Sequence, residues 1–153
     1  MKKIIIFLFA SFMLSSCLSQ KTVTESKNTE ISKLTDQQLM DKVQKDALKY
    51  FWDYAEPNSL LGRERYHEDN IYPQNDKHVV TTGGSGFGLA TVLVGVERGF
   101  IPREEAVKRL NTMMDFLAKA DRFHGAWSHW IHGETGKVVP FGRKDNGGDL
   151  VET

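Results

Sequence analysis

The stretch Ser85-Gly-Phe-Gly-Leu-Ala-Thr-Val-Leu-Val-Gly-Val-Glu97 decides the fold. As a helix, it would carry Phe87, Leu89, Ala90, Val92, Leu93, Val94 and Val96 around most of its circumference. A helix that is apolar all round is buried. Gly86, Gly88 and Gly95 weaken such a helix in isolation but let neighbouring backbone come close. A buried strand is the alternative, and the glycine content argues against it. The segment is also shorter than the ~20 residues a membrane span requires. The expectation is an inner helix, covered on all sides.

Its neighbours differ in character. Downstream, after Gly99, Pro102 fits a first helical position, and Glu104 and Glu105 fall in the positive first turn. Val107, Leu110, Met113, Met114, Leu117 and Ala120 then form one apolar stripe. Upstream, Thr35 and Gln38 can form a capping box for a helix running to Ala55, which Pro57 would end. Leu39, Val43, Ala47, Tyr50, Phe51 and Tyr54 repeat at three-to-four spacing along it. Asp149 with Glu152 three residues later reads as the start of a fourth helix. The chain stops one residue beyond, so a domain continuing past Thr153 is expected.

The order is therefore amphipathic, buried, amphipathic, then a helix start. The connections run to about 28 residues, then four, then about 28. This alternation predicts an all-α chain forming the first part of an α/α toroid, in which outer amphipathic helices alternate with inner buried ones. A small four-helix bundle is the competing architecture. In a toroid, both long connections lie at the end where the inner helices begin. The positive poles of those helices favour carboxylates and bound oxygens there.

The second long connection carries the chemistry. Residues 123–152 hold two of three Trp, three of five His and six of thirteen Gly. No helical or strand period runs through them. Long irregular loops in compact domains are mostly functional or disordered, and disordered segments are poor in aromatics. Flat indoles beside carboxylates suit a sugar, whose ring stacks on the indole while its hydroxyls bond the acid. Trp127, Trp130, His124, Glu134 and Glu152 are the candidate sugar contacts; a well-packed loop with core tryptophans is the competing reading. Arg63 and Arg65, in the first long connection, could grip the same substrate, although such charged runs are commonly solvated.

Other readings of these motifs fall away or stay minor. Thr81-Thr-Gly-Gly-Ser-Gly-Phe-Gly88 lacks the Gly-Lys-Ser/Thr of a phosphate loop. It also has Phe87 where a nucleophile elbow needs Gly. The glycine run predicts a tight start to the inner helix, its amides facing a ligand or simply packed. His124, His129 and His132 do not have helical metal-site spacing; hydrogen bonding in a polar cleft is the expectation for them, with metal binding the minor alternative, and no metal and no cofactor are expected.

The chain begins with an export pattern. Lys2 and Lys3 precede an apolar run, Ile4 to Leu14, too short to remain as a span. Leu14-Ser15-Ser16-Cys17 matches a lipoprotein box, and Cys17 is the only cysteine, which excludes a disulfide framework. Residues 1–16 are thus expected to be a signal peptide. Cys17 is expected to carry the lipid, residues 17–34 to form a tether, and residues 35–153 to begin the domain. The expected location is the cell envelope, lipid-anchored, on the outer membrane or facing the periplasm. The whole chain has zero formal charge, and loss of the signal leaves about −2. No basic stripe attracts nucleic acid.

Five segments together resemble a known family. Thr81-Thr-Gly-Gly-Ser-Gly-Phe-Gly-Leu-Ala90, Gly95-Val-Glu-Arg-Gly99, Asp121-Arg-Phe-His-Gly-Ala-Trp127, Gly133-Glu-Thr-Gly136 and Asp145-Asn-Gly-Gly-Asp-Leu-Val-Glu-Thr153 are similar to the glucoamylase-like domain. That group includes bacterial endo-β-1,2-glucanases and a domain of cyclic β-1,2-glucan synthases. The resemblance implies a six-pair (α/α)6 barrel, of which this sequence would be the N-terminal part. It also implies hydrolysis of a β-glucan, β-1,2-linked above all, with inversion. Asp145 and Asp149 map onto the family's cleft segment and are the candidate catalytic carboxylates, or else bind hydroxyls. A further essential carboxylate would lie on a later helix. Ser59-Leu-Leu-Gly62 and Ser128 depart from the family's pattern. A non-catalytic glycan-binding lipoprotein and a synthase accessory domain are the alternatives.

Overall fold

The computed structural model describes residues 31–140, 142–143 and 147–153. Cys17 and Asp145 lie outside the described residues. The chain divides into two units after Val43. Helix α1, Asp36–Trp52, starts in the first unit. There the expected capping box forms: the Thr35 amide donates to Gln38 Oε1 at 2.9 Å, and the Gln38 amide donates to Thr35 Oγ1 at 3.3 Å.

The second unit holds β1 (Val79–Thr81), α2 (Thr82–Glu97), α3 (Arg103–Lys119), β2 (Arg122–Phe123), β3 (Ala126–Trp127) and β4 (Trp130–His132). The chain is helical as expected, and it carries short strands that the expectation of an all-α chain did not include. Residues 123–152, read as free of any period, contain most of the strand residues. β1 pairs antiparallel with β4, joining Val80 to Ile131 and Thr81 to Trp130. β2 pairs with β3 around His124 and Gly125, both at positive φ (51° and 94°). That is the conformation of a two-residue type I′ hairpin. Strands of two or three residues are too short to show alternation in a sequence.

α2 begins at Thr82, three residues before the expected Ser85. β1 feeds straight into it, so sheet pairing fixes the first turn despite Gly83 and Gly84. At its other end Gly99 takes φ 67°, and the Arg98, Gly99 and Phe100 amides close on Val94, Val96 and Gly95 carbonyls. This is the Schellman type of stop. α3 starts one residue after Pro102, whose carbonyl accepts the Ala106 amide. α1 ends at Trp52, ahead of the turn that Pro57 belongs to, and its buried residue is Leu48 rather than the expected Ala47.

Two apolar clusters hold the second unit together. One joins Leu61, Val80, Met113, Leu117, Ala120 and Ile131, with Trp127 packed against it. The other joins Leu48, Val92, Ile101 and Ala106. α2 is not covered all round by the described residues: Ser85, Gly88, Val92 and Gly95 are buried, while Phe87 is 75% exposed and Leu93 63%. The described residues form a helical unit with two small sheets.

Candidate functional site

The polar end of the unit lies where β1 runs into α2. The Gly83 amide, in the first turn of α2, donates to Glu152 Oε2 at 2.9 Å. His129 Nδ1 lies 3.0 Å from Asp149 Oδ2 and 3.1 Å from Glu152 Oε2. A ring nitrogen facing two carboxylate oxygens must carry its proton there, since two acceptors would repel a third. Asp149 Oδ1 in turn accepts the Val151 and Glu152 amides at 2.8 and 3.3 Å. The expected cap geometry of Asp149 is therefore present, although residues 150–152 form a turn. The reciprocal half of a capping box is not made. Glu152 reaches Gly83 and His129, and the Asp149 amide goes to the Trp127 carbonyl.

These contacts set the charge of Asp149. The Val151 amide and then the His129 ring outweigh the opposing effect of burial, and the Glu152 amide adds to them, so the carboxyl lies below the usual carboxylate range. A carboxylate so placed stays ionised and accepts hydrogen bonds rather than giving up a proton. His129, Asp149 and Glu152 bring one ligand atom each within 4.8 Å of one another, close enough for a cation. Their mutual bonds and the Gly83 amide already account for the facing atoms.

Trp130 adjoins this cluster, its ring 5.8 Å from that of His129. Its Nε1 donates to Glu64 Oε2 at 3.2 Å. Arg65 sits 3.6 Å from the other Glu64 oxygen and 3.1 Å from Asp76 Oδ2, and bonds Gln74. The other candidates stand elsewhere. Arg63 donates to the Tyr54 and Lys77 carbonyls and staples the first loop. Trp127 donates Nε1 to the Leu117 carbonyl at 3.1 Å and packs against the core. His124 is exposed at the β2–β3 hairpin tip, edge-on to Phe123. Glu134 is exposed in the turn after β4, 4.0 Å from His78. The structure thus brings together Asp149, Glu152, Trp130 and Arg65, joined through His129 and Glu64.

Sequence reasoning missed Glu56. It is fully buried and accepts the Asn58 and Ser59 amides, the Ser59 hydroxyl and the Asn58 side chain. His78 Nδ1 lies 3.1 Å from it. This network builds the tight turn that carries Leu61 into the core. A lone Glu before Pro57 gave no periodic sign of it.

An ionised Asp149, a paired histidine and an oriented indole are groups of the kind that suit a carbohydrate. Comparison with known proteins narrows that class. No family model matches the chain. The chain is 50% identical over 137 residues to the exo β-1,2-glucooligosaccharide sophorohydrolase (non-reducing end) of Parabacteroides distasonis, a match covering 89% of this chain and 18% of that protein. The endo-β-1,2-glucanase of Chitinophaga pinensis, solved in complex with sophorotriose and glucose, is 60% identical with a TM-score of 0.76 over 78% of this chain and 29% of that one. The β-1,2-glucanase of Parabacteroides distasonis is 52% identical with a TM-score of 0.70, over 78% and 16%. The resemblance to glucoamylase-like glycoside hydrolases is thus shown, and the chain spans less than a third of each of these relatives.

Proposed function

We propose that this chain is the N-terminal part of a β-1,2-glucan hydrolase, and that the end built from His129, Asp149, Glu152 and Trp130 lines its substrate cleft. The identity to named β-1,2-glucan hydrolases carries this reading. The chemistry of the cluster agrees with it. The complete ring of helices is taken to be the (α/α)6 barrel, with the exposed face of α2 turned inward.

The mechanism we favour is inverting, with an acid and a base about 6.5–9.5 Å apart and a water between. Asp149 and Glu152 approach too closely to form that pair. The second role is assigned here to another carboxylate, with Asp145 or one on a later helix as the candidates. Asp149, held ionised, fits a base or a hydroxyl acceptor and does not fit the acid, whose pKa must be raised. Glu152 and His129 act by fixing its position. Cys17 would carry the lipid that keeps the enzyme at the cell envelope, most directly on the outer membrane or facing the periplasm. Membrane fractionation of Cys17→Ala tests that part: an unchanged membrane fraction contradicts it.

Proton NMR of the first products from a linear β-1,2-glucan tests the mechanism. Initial release of the α-anomer by the complete polypeptide supports inversion. Initial release of the β-anomer contradicts it.

A further inference from the structure

A small cleft of about 150 Å³ lies beside β1 and β4, lined by Glu64, Arg65, Gln74, Asp76, Val79 and Trp130. It is well below the ~300 Å³ at which drug-sized ligand pockets begin, which suits a single sugar ring. Asp76 is only 8% exposed. Its Oδ2 accepts Arg65 Nη1 at 3.1 Å, while its Oδ1 is buried and has no hydrogen-bond partner among the described residues. A buried carboxylate oxygen without a donor is costly and calls for an explanation.

The surrounding groups are already fixed. Glu64 Oε2 orients the Trp130 indole through its Nε1. Gln74, Asp76 and Glu64 hold the Arg65 guanidinium from three sides. These three acceptors do not exhaust the five N–H donors of an arginine. An oriented indole beside a held guanidinium and a carboxylate short of one donor matches a pyranose. Its C–H face packs on the indole, and adjacent hydroxyls bridge donor and acceptor.

We propose that this cleft is a binding subsite for one glucosyl unit of the chain, with Asp76 and Arg65 reading its hydroxyls. The inference rests on the glucan reading above and adds a position to it. Trp130 follows His129 directly, so the subsite adjoins the Asp149 cluster without containing it. Asp76 accepts a sugar hydroxyl at its unpaired oxygen, and Arg65 donates to the neighbouring one.

The test uses the complete polypeptide, its Asp76→Asn and Arg65→Gln variants, and linear β-1,2-linked glucose oligomers of increasing length. Both variants should raise KM by about tenfold or more, the scale of one lost charge-assisted hydrogen bond. Their kcat on the longest oligomers should stay within about twofold, because the reacting bond is not at this position. Thermal melting of Asp76→Asn should stay near that of the parent. A parent that cleaves normally, with unchanged KM in both variants, overturns the subsite and leaves the hydrolase reading intact. Parallel loss of kcat and melting temperature overturns it in favour of a purely structural role for Asp76. A parent that neither cleaves nor binds any linear β-glucan overturns both readings.

Discussion

Gly83 donates its backbone N–H to Glu152 Oε2 at 2.9 Å, across 69 positions of sequence. The first turn of α2 therefore holds the segment that carries Asp149. A Cβ at Gly83 would stand 2.7 Å from Glu152 Cδ, so the carboxylate must leave. Alanine is also the better helix former by about 1 kcal/mol, which offsets part of the lost contact. In the complete polypeptide Gly83→Ala should melt close to the parent yet turn over glucan more slowly. Unchanged turnover would show that Glu152 does not position the cluster.

Asp149 has two separable roles. As a cap its carboxylate holds the Val151 and Glu152 amides. Asn caps about as well but cannot ionise. Asp149→Asn should keep near-native melting and lose at least about a hundredfold in turnover, the scale of general acid–base catalysis. Equal losses of both would reduce Asp149 to a structural residue. Normal values of both would leave Asp145 as the better candidate.

Glu56 makes the turn before β1 sensitive to acid. Burial alone would raise its pKa; the Ser59 amide, His78, Asn58 and the Ser59 hydroxyl outweigh that and hold it below its ordinary 4.5. A carboxyl depressed by folding stabilises above its unfolded pKa, and that stability is lost as pH falls through the folded value. Glu56→Gln should cost about 1–3 kcal/mol at neutral pH, because buried donors lose their charged acceptor. Its melting temperature should also fall less steeply than the parent's below about pH 4.5. Parallel melting curves over that range would remove Glu56 as the acid-sensitive group.

The helices were legible because each repeats its pattern over several turns. Val92 and Met113, buried on α2 and α3, sit in apolar runs long enough to read. Asp149 was legible as a cap because capping depends on residues only two and three positions away. The β1–β4 ladder was not, because Thr81 and Trp130 are far apart in sequence and each strand has three residues. Glu56 with His78, and Asp76 with Arg65, were illegible for the same reason. Their partners meet only after the loop between α1 and β1 has folded back on itself. The apolar helix reads as buried all round, whereas Phe87 and Leu93 are exposed among the described residues. Composition shows that a helix seeks cover but not where the covering residues come from.

That open face has a consequence. Large contiguous apolar patches promote association. Residues 18–153 expressed alone should self-associate, and Phe87→Ser with Leu93→Ser should shift them toward monomer in analytical ultracentrifugation. A monomeric parent fragment would contradict this.

The most direct measurement is the release of reducing ends from a linear β-1,2-glucan by the complete, lipid-free polypeptide, with Asp149→Asn as the paired control. The account predicts release by the parent and a loss of at least about a hundredfold in the variant. No release from any linear β-glucan by a folded parent would contradict it.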